Sequence, residues 1–179
     1  MRIEIRRIVG IDPGLNGGVA ALDVISGEVL YLQAYPNTFR EFKELMRHIT
    51  CGILPGGHYP PTLLFIEHEH SAPGNDAVSS FSFGRNYQLV LDATDEFDEK
   101  IFVRPIEWQC LLGCRTRGKK AVTRAKAKEL FPGAAGSITD ATADALLIAE
   151  YGRRKLFMAE KREGRRFSLA DYGKIMISK

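Results

Sequence analysis

Cysteine is scarce in this chain of 179 residues: Cys51, Cys110 and Cys114 are the full set. An odd number with no framework spacing excludes a disulfide scaffold. Cys110 and Cys114 lie four apart, as half a zinc site would, but the other half would have to come from His68 and His70 in a separate segment. These spacings match no standard finger, so buried free thiols are the better reading. Long hydrophobic runs are missing as well. No apolar stretch approaches the roughly 20 residues of a membrane helix. Met1 leads into Arg2, Glu4, Arg6 and Arg7 with no signal-peptide core behind them. The expectation is a cytoplasmic protein with no membrane partner. Internal repeats and low-complexity segments are absent too.

What is present is ordinary globular material, 45% hydrophobic and 26% charged, enough for one domain with a sizeable core. The net charge of +3 is unevenly spread. Residues 1–114 carry 9 basic and 15 acidic side chains. Arg115, Arg117, Lys119, Lys120, Arg124, Lys126 and Lys128 then follow with no acid among them, and residues 151–179 hold 9 basic against 3 acidic side chains. Blocks of one sign point to a polyanionic partner, although a solvated helix face and a loose tail would give the same pattern.

Ile5 to Ile11 reads as a central strand, Val19 to Val24 as a second and Val29 to Ala34 as a third. The tight turns at Pro13-Gly14, Asn16-Gly17-Gly18 and Ser26-Gly27 make these an antiparallel meander. Thr38-Phe39-Arg40-Glu41 is a capping box, and Phe39, Phe42, Leu45, Met46 and Ile49 continue at helical spacing. Residues 52–61 form a loop. Thr62 to Glu67 is a fourth strand whose unalternating Leu63-Leu64-Phe65-Ile66 predicts cover on both faces. A loop from His68 to Gly74 precedes a helix from Asn75, its cap, to about Leu91. Gly84 inside it marks either close packing or a break. Lys100 to Arg104 is a fifth strand. Helices follow at Pro105–Leu112, Lys119–Leu130 and Asp140 to about Lys155, the last with Ser137 as a possible cap. The fold class is therefore α/β: a mixed five-stranded sheet with a three-strand antiparallel meander, flanked by helices. Residues 1–155 read as the domain and 156–179 as a basic C-terminal tail.

Four acids sit inside or beside sequence that reads as buried, where an unpaired carboxylate is costly. Asp12 follows Ile8-Val9-Gly10-Ile11, and Glu67 ends Leu63-Leu64-Phe65-Ile66. If these strands are neighbours, both acids emerge at one sheet edge. Asp140 and Asp144 are four apart, so they share a helix face. Four carboxylates from three elements suit two Mg²⁺ ions, which favour oxygen ligands and leave positions to water and phosphate. In such sites the ions lie roughly 4 Å apart and clamp the attacking and leaving oxygens. Taken singly, each acid has a plainer role: a turn, a solvated strand end, or a residue favoured by the helix dipole.

These same residues, Gly10-Ile11-Asp12-Pro13-Gly14, Phe65-Ile66-Glu67 and Asp140 through Tyr151-Gly152, resemble the RuvC-type Holliday-junction resolvases of the RNase H-like superfamily, in their phage-type and related bacterial form. The resemblance spans roughly residues 7–152. It implies an RNase H-like fold and a Mg²⁺-dependent homodimer that nicks opposed strands of a four-way DNA junction, with two ions expected and Mn²⁺ as a substitute. By that resemblance Asp12, Glu67, Asp140 and Asp144 are the metal ligands and catalytic acids, and Lys120, which matches a family lysine, is a further catalytic residue. Two departures stand out. Well-known members place the last two acids three apart, and Gln109, just after Trp108, occupies a position where the family often has lysine.

The DNA-binding candidates are Arg115, Arg117, Lys119, Lys120, Arg124 and Lys128; Lys120, Arg124 and Lys128 form a stripe at i, i+4 and i+8. Such a stripe neutralises phosphates and gives salt-dependent affinity without sequence preference. Phe83 is the candidate to stack on a base at the crossover, while Phe81 reads as core. In the family this segment also supports dimer packing. Two other readings remain: a junction-binding module with little or no cleavage, and an actin- or sugar-kinase-like ATPase. The second has no room for its second domain and no second glycine-rich loop, so no nucleotide cofactor is expected.

Overall fold

A computed structural model describes residues 4–14, 16–36, 38–50, 60–68, 77–95, 97, 99–116 and 119–176, with the side chains of 77–79 and 83 left aside. Strands β1 (Arg7–Asp12), β2 (Gly18–Asp23) and β3 (Val29–Ala34) form the meander. In β1 and β2, Arg7 faces Asp23 at one end and Asp12 faces Gly18 at the other. After α1 (Phe39–Thr50) the chain enters β4 (Thr62–Glu67), parallel to β1. After α2 (Ala77–Ala93) it enters β5 (Lys100–Val103), parallel to β4. The sheet order is β3-β2-β1-β4-β5, the mixed five-stranded sheet that the pattern predicts. Helices α3 (Pro105–Leu112), α4 (Lys120–Leu130) and α5 (Asp140–Glu163) complete the domain.

Every residue of β4 is buried, as its unalternating sequence requires. Strand alternation then sorts side chains to two faces. Val9, Ile11, Leu64 and Ile66 join Phe42, Leu45, Met46 and Ile49 of α1 in one core layer. Ile8, Leu63 and Phe65 join α5 in the other. Asp12 and Glu67 continue the Ile8-Gly10 and Leu63-Phe65 sets, which puts both acids on the α5 side.

Three glycines set how closely α5 lies on the sheet. A Cβ at Gly10 would run into the Ala145 carbonyl oxygen and the Ala149 nitrogen. One at Gly18 would sit 2.6 Å from the Ala141 carbonyl oxygen, and one at Gly152 would sit 2.5 Å from the Phe65 ring. Helix α5 therefore lies nearly backbone to backbone on β2 and β1, and its Gly152 packs against the Phe65 ring of β4.

The structure corrects several local readings. Helix α5 does not end near Lys155 but runs on to Glu163, where Gly164 adopts a φ of 68°. Leu156, Ala159, Phe167 and Ile175 are buried in the α5-side core, and Ser168 forms a bridge with Glu4. The apolar residues here are too widely spaced to show a period, which hid this packing from the sequence. Thr139 rather than Ser137 precedes α5, its N–H donating to the Thr142 hydroxyl at 3.0 Å. The Thr38–Glu41 capping box is present, with each side chain meeting the other's N–H at 3.2 Å. Gly84 neither breaks α2 nor receives a neighbour. Phe81, read as core, is 75% exposed, because α2 covers the sheet with its opposite side. Cys114 is buried, but Cys110 is exposed. Cys51, His70 and Asn75 lie outside the described residues. Among those described, no helix is long and apolar enough to cross a membrane.

Candidate functional site

The site begins with two adjacent parallel strands. Ile11 pairs with Ile66, so Asp12 and Glu67 leave the sheet side by side at its C-terminal edge. Both are about 5% exposed. Asp12 Oδ1 accepts the Gly14 N–H at 2.9 Å, which closes the turn begun by Pro13. The Glu67 carboxylate accepts the Trp108 indole N–H at 2.8 Å. That donor comes from α3, which begins just beyond the partner of Glu67 in β5, Val103.

The helix acids reach the same edge through Gly18. This residue faces Asp12 in the hairpin and touches Ala141 and Thr142 of α5, so the first turn of α5 starts beside Asp12. Asp140 and Asp144 lie on that turn and the next. Arg124 Nη1 approaches Asp140 Oδ1 at 3.2 Å and Lys120 Nζ approaches Asp144 Oδ2 at 3.8 Å. Burial pushes the Asp144 carboxyl above the ordinary carboxylate range, with help from Asp140; the Thr123 hydroxyl and the Lys120 ammonium pull the other way. Asp144 Oδ1 is buried without a hydrogen-bond partner among the described residues. A buried, partnerless carboxylate oxygen beside other acids is where a cation would be stabilised.

The fit to a divalent ion can be judged on this geometry. The donors are all carboxylates, which suits Mg²⁺ or Mn²⁺, and the orphaned Asp144 oxygen gives one of them an unmet need. Among the described residues no three metal-ligating side chains are yet drawn together around one point, because Asp140 and Asp144 turn towards α4. The cysteines offer nothing comparable. Burial pushes the Cys114 thiol up to about 11, and zinc needs the thiolate.

Lys120, Arg124 and Lys128 line one open cleft of about 590 Å³ together with Asn16, Thr139, Asp140 and Ala141. The stripe expected from spacing alone therefore faces the helix acids. Arg115 and Lys119 are exposed at the approach to α4. Arg117 lies outside the described residues, and so does the Phe83 side chain. Gln109 Oε1 accepts the Thr116 N–H at 3.3 Å, so this residue braces the loop leading to α4.

Two side chains near the acids escaped the sequence reading. Trp108 and Thr123, each 1% exposed, look like core residues among apolar neighbours. Their polar atoms matter only once α3 and α4 are folded against the sheet, and nothing local in the sequence signals it.

No protein-family model and no curated protein matches the sequence. Solved structures do match by shape. Thermus thermophilus RuvC in complex with a Holliday junction substrate aligns over 90% of this chain and 98% of its own, with a TM-score of 0.54 and 16% identity. The chain has the RuvC fold. A second Thermus thermophilus RuvC structure aligns over 90% and 99% with a TM-score of 0.51 and 18% identity. The RuvC fold thus extends over nearly the whole of both chains, at an identity that speaks to architecture alone.

Proposed function

We propose that this protein is a metal-dependent, structure-specific DNA endonuclease that resolves four-way junctions by nicking opposed strands. The reading is supported by Asp12 and Glu67 ending adjacent strands at one sheet edge, and by the first turn of α5, with Asp140, lining a cleft with Lys120, Arg124 and Lys128, in a chain with the RuvC fold. Asp12, Glu67, Asp140 and Asp144 would hold two Mg²⁺ ions, with Mn²⁺ as a substitute. When bound, these would supply Lewis-acid activation of water and neutralise charge on the leaving oxygen.

The protein's own side chains do the rest. Lys120, Arg124 and Lys128 bind successive phosphates along the cleft and bring the scissile one beside the acids. Arg115, Arg117 and Lys119 extend that contact. The ammonium of Lys120, already beside Asp144, is placed to offset charge developing on the phosphate. Gly14 and Trp108 hold Asp12 and Glu67 still while this occurs. One chain carries one such site, so cutting two opposed strands calls for a homodimer. The outward face of α2, with exposed Phe81 and with Phe83 on the same helix, is the surface for pairing or for stacking at the crossover.

A labelled four-way junction, a flap and a linear duplex, each incubated with Mg²⁺, test the reading. Paired symmetric nicks in the junction alone, lost in Asp144→Asn, are the expected outcome. Tight junction binding in EDTA with no cuts in Mg²⁺ would instead identify a binding module, and equal cutting of all three substrates would remove the junction specificity.

A further inference from the structure

The Trp108–Glu67 bond has a chemistry that packing does not require. Trp108 is the single tryptophan of the chain. Its ring is 1% exposed and sits among Phe65, Val103 and Leu112 in the α5-side core. An indole in such a place needs a partner for its N–H, and a backbone carbonyl would serve. Here the acceptor is a carboxylate at 2.8 Å, itself buried at the end of a central strand.

The donor is well suited to steadying a ligand carboxylate. An indole N–H only donates and does not titrate in the working pH range. A lysine or arginine in its place would cancel the charge of Glu67 and repel a cation. A neutral donor fixes the carboxylate plane and leaves its negative charge intact for a metal. The donor is also rigid. Helix α3 starts at Pro105, the Glu107 carboxylate accepts the Arg104 N–H at 2.8 Å, and Gly113 ends the helix with a φ of 68°. Both ends of α3 are capped and the indole is buried, which restricts the movement of the N–H.

We infer that Trp108 is a positioning residue for the metal centre, orienting Glu67 towards the ion through its indole N–H. The inference rests on the proposed metal-dependent reading. Its consequence is a coupling: Trp108 acts through Glu67, so removing the donor matters only while the Glu67 carboxylate is present.

The test is a double-mutant cycle on Mn²⁺ binding, measured by calorimetry and by electron paramagnetic resonance of free Mn²⁺, with no DNA present. Trp108→Phe keeps the aromatic bulk and removes the donor. It should weaken Mn²⁺ binding by about 10- to 100-fold, the usual range for a group that orients a ligand. In a Glu67→Gln background the same change should alter Mn²⁺ binding by less than about twofold. Equal losses in both backgrounds would mean a general structural effect and would overturn the inference. So would unchanged Mn²⁺ binding by folded Trp108→Phe, which would leave the metal reading standing. Absence of Mn²⁺ binding by the wild-type protein would overturn the metal reading itself. Should Trp108→Phe fail to fold, the wild-type indole serves as reporter: Mn²⁺ should quench its fluorescence with the calorimetric midpoint, and Glu67→Gln should abolish that response. Unquenched emission at saturating Mn²⁺ would overturn the inference.

Discussion

Asp12 and Glu67 meet partners that cannot move far: the backbone N–H of Gly14 and an indole locked in the core. Asp140 and Asp144 meet Arg124 and Lys120, whose side chains are 44% and 56% exposed and end in flexible, solvated cations. The strand acids are thus set by folding, whereas the helix acids are held by groups that can leave. The difference has a use. Under the proposed function, a cation beside the acids would take the place of Arg124 and Lys120 and leave those two side chains to phosphate. Fixed acids on strands and adjustable ones on a helix would, in the proposed site, let one half define the geometry and the other respond to an occupant.

The largest expected effect comes from disabling the fixed half. Asp12→Asn keeps shape and hydrogen bonding but removes the charge. It should lower junction cleavage by about a thousandfold, equivalent to about 4 kcal/mol of barrier, while junction affinity in EDTA changes less than about twofold. Normal cleavage by this variant would end the claim that the strand acids define the site.

The next test moves one half against the other. Gly10→Ala forces a Cβ into the backbone of α5 at Ala145 and Ala149, and neither backbone can yield without shifting the helix. Overpacking of this kind costs about 1–3 kcal/mol, read as a lower urea midpoint at unchanged slope. Cleavage should fall further than stability does, because Asp140 and Asp144 ride on the displaced helix. A variant as stable and active as wild type would show that the close approach is unimportant.

Asp144→Asn probes the adjustable half in the metal-free protein. Burial holds the folded-state carboxyl above its ordinary range, so the folded protein keeps a proton that the unfolded chain has released. Wild-type stability therefore falls as pH rises from the ordinary carboxylate range through the raised folded value. The asparagine variant lacks that fall. Calorimetry in EDTA should find it more stable at neutral pH and no more stable below the ordinary carboxylate range. A constant difference at all pH values would contradict the sign.

The smallest effect is the most diagnostic of the cations. Arg124→Ala should lower the slope of log affinity against log salt by about 1, as for the loss of one phosphate contact. Asp140→Asn should raise junction affinity in EDTA severalfold by freeing Arg124 from its ion pair. No change in the second case would mean that the pair seen here does not hold Arg124 back.

Much of this was legible in the chain. The unalternating run before Glu67 marked a strand covered on both faces, and it is buried throughout. The i, i+4, i+8 spacing of Lys120, Arg124 and Lys128 marked one helix face, and that face lines one cleft. Local periodicity reports what a residue's own element does, and these features are properties of single elements. The exposure of Phe81 is not legible in the sequence, because an apolar residue in a helix gives no sign of which side meets the sheet. The packing of the basic C-terminal segment is not legible in the sequence, because its contacts, such as Phe167 donating its N–H to Glu160 Oε1 at 2.9 Å, join residues without a repeating pattern.

The sequence alone determined the elements, the acids at their ends and the sign of charge on α4. It did so because strand and helix periods and charge blocks are written in near neighbours. Only the tertiary structure decided that the indole of Trp108 serves Glu67 across 41 residues of chain. It also decided that Gly10, Gly18 and Gly152 let α5 lie close on the sheet, so that its first turn starts beside Asp12. Those pairings depend on the packing of whole elements against one another, where burial and close contact choose partners that no local pattern encodes.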